Sequence, residues 1–87
     1  AMEQQAQALG FNAQESRQLV QQTALGAASM VCQSNLAIGQ LRENVTSKGG
    51  TTQAALATFN DGGLVQLVSK AMNSALQRAQ EMAKDNA

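Results

Sequence analysis

Apolar residues recur at helical spacing along most of this chain, and strict alternation of apolar and polar positions is absent. Met2, Ala6 and Leu9 share one face, which predicts a helix over residues 1–9. Gly10 ends it, as glycine commonly does just past a helix C-terminus. Asn12 and Glu15 have the spacing of a capping box, with Phe11 ahead of the cap placed to pack back as a staple. The helix that follows carries Val20, Ala24, Ala27 and Val31 in one stripe, widened by Leu19, Ala28 and Met30, and runs to about Cys32. Gly26 in its middle costs about 1 kcal/mol relative to alanine. The small residues around it predict close approach of another helix as compensation.

Gln33, Ser34 and Asn35 break the pattern, and a short helix follows over 37–43 with Ile38 and Leu41 facing inward. A fourth helix starts near Gly50 and runs to about Asn60, with Ala55, Leu56 and Phe59 on the core side. Asp61-Gly62-Gly63 reads as a turn. The last helix spans 63–84. Leu64, Val68, Ala71, Ala75 and Met82, flanked by Leu67, Met72, Leu76 and Ala79, form a face wider than one short neighbour covers. The expected fold is all-α: a small helical bundle of about five helices around a modest core.

Composition supports that class. Alanine, glutamine and leucine dominate, proline is absent, and Phe11 and Phe59 are the only aromatics. The formal net charge of +0 comes from scattered residues. A basic stripe and aromatic platforms for nucleic acid are therefore missing. No apolar run approaches the ~20 residues of a membrane span, and the N-terminus lacks a signal-peptide layout. Cys32, the single cysteine, cannot form an intrachain disulfide and reads as a small buried hydrophobe. These features suit a cytoplasmic setting. Histidine is absent, which removes a Ser-His-Asp arrangement and a His/Cys zinc cluster. The chain offers no metal site, so any part in catalysis must be positioning and hydrogen bonding.

One stretch carries chemistry. Val45-Thr46-Ser47-Lys48-Gly49-Gly50-Thr51-Thr52-Gln53-Ala54-Ala55-Leu56 passes from a β-branched pair through small polar residues into helix formers. Adjacent glycines permit positive φ and close approach. A helix entered this way presents unpaired N–H groups and its positive dipole end, the requirements for an anion. The P-loop spacing G-x-x-x-x-G-K-[ST] is absent. On these residues alone two readings stay open: an ordinary cap with a glycine turn, or an anion site.

The segment from Ala37 to Phe59, with Val45-Thr46-Ser47-Lys48-Gly49-Gly50-Thr51-Thr52 at its centre, resembles the signature region of pyrroline-5-carboxylate reductases. Ala24-Leu25-Gly26-Ala27-Ala28-Ser29-Met30-Val31 upstream resembles that family's small-residue helix. Ala71-Met72-Asn73-Ser74-Ala75 and Arg78-Ala79-Gln80-Glu81-Met82 resemble its closing helix. The family usually has proline where this chain has Lys48.

The resemblance implies that residues 1–87 are a C-terminal helical dimerisation and substrate-binding domain. The N-terminal dinucleotide-binding domain is absent from this chain, which has no Gly-x-Gly-x-x-Gly. NADP or NAD would serve the full-length enzyme, with none bound by this chain alone, and the isolated chain is expected to be inactive. The implied partners are a second copy, intertwined as a homodimer or higher homo-oligomer, and a small-molecule substrate, pyrroline-5-carboxylate or proline. The uncapped start at Met2 reads as the cut end of a longer helix. By the same resemblance, the Ser47 hydroxyl and the Thr51 and Thr52 amides bind the substrate carboxylate, and Gly49 and Gly50 allow its close approach. The Thr52 hydroxyl holds the ring imine nitrogen and is the catalytic candidate. Lys48 is a solvated loop lysine or a source of local positive potential. The alternatives are a stand-alone helical interaction module and a sensor of phosphate or another anion.

Overall fold

A computed structural model describes residues 1–86. Five α-helices account for the regular structure of the described residues: α1 (Met2–Ala8), α2 (Ala13–Gln33), α3 (Ile38–Asn44), α4 (Thr51–Asp61) and α5 (Leu64–Asp85). No strand occurs among them, and the fold is all-α as the periodicity predicts. Asp61, expected in a turn, is instead the last residue of α4, and Gly62-Gly63 alone make the corner.

The chain divides into two compact units, Ala1–Asn44 and the residues from Val45 onward. In the first, α1 packs on α2. Their connection follows from local chemistry. Gly10, at φ 113°, donates to the Gln7 carbonyl at 3.0 Å, and Phe11 N–H donates to the Ala6 carbonyl at 3.2 Å. This paired pattern closes α1 as a Schellman motif. Two residues later the Asn12 side chain accepts from Glu15 N–H at 2.8 Å, while Glu15 Oε1 accepts from Asn12 N–H at 3.0 Å. The predicted capping box is present. A groove of about 290 Å³ runs along the helix pair, lined by residues including Met2, Ala6, Leu9, Phe11, Leu19 and Val20.

In the second unit α4 packs against α5. α5 is the longest helix and carries an exposed Arg78–Glu81 ion pair at 3.3 Å on its polar side. An ion pair this exposed contributes little to stability.

The modest core is not found. No hydrophobic side chain is buried among the described residues, and Ser16 is the one buried side chain, at 0% exposure. Leu41 and Leu56 reach only half-burial. Ile38 and Phe59, expected inside, are exposed, as are the methionines of α2 and α5. Cys32, expected buried, is exposed too. Beyond its own helix backbone and chain neighbours, a Cβ on Gly26 would meet no atom within 4 Å, so its own unit does not place the close neighbour that its small surroundings anticipate. Amphipathic periodicity states which face of a helix is apolar; it does not state what covers it.

Candidate functional site

The stretch singled out by its glycines lies wholly within the second unit. Gly50 N–H donates to the Ser47 carbonyl at 3.0 Å. That bond closes a four-residue turn with Lys48 and Gly49 at its two central positions. Gly49 has φ 75°, the positive value that the third residue of a type II turn requires and that glycine adopts without strain. Gly50 then takes an extended conformation, φ −87° and ψ −179°, as N-cap of α4.

Gly50 meets a different constraint. A Cβ built there would stand 2.6 Å from the Ser47 Oγ and 3.2 Å from its carbonyl oxygen. The Ser47 hydroxyl therefore lies directly over the Gly50 backbone at the threshold of the helix. This is the close approach the glycine pair predicts, made by a neighbouring side chain.

Two loop amides are already engaged. Gly50 N–H is held by Ser47, and Gly49 N–H donates to the Gln53 side-chain oxygen at 2.6 Å. The next amides are not. The first helical bond of α4 runs from Ala54 N–H to the Gly50 carbonyl at 3.2 Å, and no side chain caps the helix. The N–H groups of Thr51, Thr52 and Gln53 therefore lack an intrahelical acceptor. The first turn of α4 holds no acidic residue. The positive end of its dipole is left without the carboxylate that Glu15 supplies to α2.

All five expected site residues thus fall within one turn and one helix start. Ser47, Gly49 and Thr51 are exposed, and Gly50 and Thr52 are half-buried. Lys48 is exposed at the corner of the turn. Gln53 is the residue that sequence reasoning passed over. Its signal was available: it stands at the third helical position, where Glu or Gln side chains reach back to amides ahead of a helix.

The arrangement suits a small anion better than a metal or a dinucleotide. Among the described residues no group of three or more His, Cys, Asp or Glu side chains is placed to hold a metal ion. No strand feeds the loop among them, so the strand–turn–helix unit that cradles a dinucleotide pyrophosphate is not formed here. Among the described residues no helix is long and apolar enough to cross a membrane.

Residues 1–82 match the family described as pyrroline-5-carboxylate reductase dimerisation. The chain is 55% identical over 85 residues to a pyrroline-5-carboxylate reductase of Vibrio alginolyticus, covering 97% of this chain and 31% of that protein. It is 48% identical over 85 residues to the Pasteurella multocida protein of the same name, with the same coverage. Identity to the Pseudomonas aeruginosa reductase is 42% over 84 residues, again 97% of this chain and 31% of the relative. The chain therefore spans about a third of the length of the curated relatives it matches.

Proposed function

The chain belongs to the pyrroline-5-carboxylate reductase dimerisation family, and from that membership we propose that it is the helical part of an NAD(P)H-dependent reductase that makes proline. In this reading α4 and the turn before it receive the substrate carboxylate. The observation that carries it is the division of labour among consecutive amides. Gly49 and Gly50 spend theirs on shaping the turn, while the Thr51 and Thr52 amides stay open at an uncapped helix start.

The chemistry follows from that layout. A cyclic imino acid is small and anionic. Two helix N–H groups and the Ser47 hydroxyl hold its carboxylate, aided by the helix dipole. The Thr52 hydroxyl, half-buried at the second helical position, hydrogen-bonds the ring nitrogen and fixes which ring face is presented. The nicotinamide supplies the hydride when bound. The described residues do not fit a dinucleotide, so it is held by a domain outside this chain.

The same reading accounts for the missing core. Leu64, Val68, Met72, Leu76 and Met82 line α5 at helical spacing, and all are exposed. A second copy covers them in a homo-oligomer whose helices interleave. The enzyme works in the cytoplasm, a reducing setting that suits one unpaired cysteine.

Titration of the isotope-labelled chain, following the Thr51 and Thr52 amides by NMR, tests the site. Proline is expected to shift both, and inorganic phosphate is not expected to match it. Shifts with phosphate alone would turn the reading to an anion sensor. Silence with both ligands would leave an interaction module.

A further inference from the structure

We propose that Gln53 is a positioning residue for the carboxylate loop; the proposal rests on the reading of that loop given above. Gln53 is not among the residues assigned to the ligand in that reading. It acts on the turn that shapes the ligand's seat. Its side-chain oxygen accepts the Gly49 N–H at 2.6 Å, while the next amide, Gly50, is held by the Ser47 carbonyl at 3.0 Å. The first bond ties the turn forward to α4, and the second closes it onto Ser47. Together they hold Gly49 at φ 75° and keep the Ser47 Oγ over Gly50.

Ser47, Lys48 and Gly49 are all exposed. Lys48 occupies the second turn position, where a proline ring would preset φ near −65°, and the chain contains no proline. A lysine there leaves φ to be set by the hydrogen bonds around it. The Gln53 tie does what a ring would otherwise do.

The choice of an amide over a carboxylate has its own consequence. At α2 the same backward bond is made by a charged side chain, Glu15 to Asn12 N–H at 3.0 Å. That closes a helix start with a negative charge. A glutamate at residue 53 would hold Gly49 equally well, but it would offset the positive helix end and repel an acid. Glutamine holds the turn and leaves the potential for the ligand.

The test uses the complete reductase containing this chain. Gln53→Met keeps length and helix propensity and removes the acceptor. It is expected to raise the KM for pyrroline-5-carboxylate about tenfold, because only the fraction of loops in the competent shape binds. Turnover and the KM for the nucleotide are expected to stay within about twofold, since a positioning loss is confined to acid binding. Adding Lys48→Pro is expected to restore most of that loss. Gln53→Glu keeps the Gly49 bond; it is expected to raise the same KM at low ionic strength and to recover in salt, whereas the Gln53→Met defect is indifferent to salt. An unchanged KM in Gln53→Met, a loss spread equally over turnover and nucleotide binding, or no rescue by Lys48→Pro overturns the positioning role. If Gln53→Glu alone raises the KM, that role falls and the carboxylate site stands. If neither variant moves it, the acid does not sit at the start of α4 and the site reading falls as well.

Discussion

The Ser47 hydroxyl occupies the space where a side chain at residue 50 would begin, 2.6 Å from an ideal Cβ on Gly50. The backbone dihedrals of Gly50 are open to any residue, so its glycine is set by this neighbour and not by strain. Gly50→Ala is therefore expected to fold and to displace the Ser47 hydroxyl. In the reductase the KM for the acid substrate rises about tenfold, equivalent to 1.4 kcal/mol. Steady-state kinetics check this, with Ser47→Ala/Gly50→Ala as control. If the effect runs through Ser47, the double variant is no worse than Ser47→Ala alone.

Thr52 is expected to separate turnover from folding. In the proposed reading its hydroxyl holds the ring nitrogen, whereas its amide, which survives substitution, holds the carboxylate. Thr52→Ala should lower kcat at least about tenfold by loosening ring orientation. The melting temperature should move little, because the site is only half-buried. An unchanged kcat/KM in this variant would refute the assignment.

Among the described residues Ser16 is the one fully buried side chain, and its Oγ has no hydrogen-bond partner. A buried hydroxyl without a partner keeps its desolvation cost and gains nothing for it. Ser16→Ala removes that cost and improves helix propensity in α2. It is expected to raise stability by about 1 kcal/mol, measured by denaturant unfolding at fixed protein concentration. A loss of stability would mean that the hydroxyl is satisfied in solution.

Leu76 distinguishes a covered α5 face from a free one. It is 57% exposed in the single chain. A charge placed on a freely solvated helix face changes stability by no more than about 0.5 kcal/mol. Leu76→Asp is instead expected to weaken self-association at least about tenfold, since a buried unpaired carboxylate is costly. Sedimentation across a concentration series reads the change, and identical association of variant and parent would place the contact elsewhere.

Much of the backbone geometry around the candidate residues was readable beforehand because its causes are local. Ser47, Gly49, Gly50, Thr51 and Thr52 belong to one turn and one helix start, and turn chemistry acts over three or four residues. Gln53 escaped notice because helix-forming glutamines are common in this chain and most serve as solvated surface. The alternative acceptor for Gly49 appears only once the turn has placed that amide toward α4.

The same physics separates what the amino-acid order determined from what folding in three dimensions decided. Helix number, the Asn12–Glu15 box, the stop at Gly10 and the glycine turn at Ser47–Gly50 follow from short-range spacing, since their partners lie within five residues. Burial does not follow from spacing. Apolar stripes announced a core, yet the one side chain fully enclosed among the described residues is a serine, and the apolar face of α5 remains open. Coverage depends on which surface comes to lie against a stripe, and that is a property of the assembled structure.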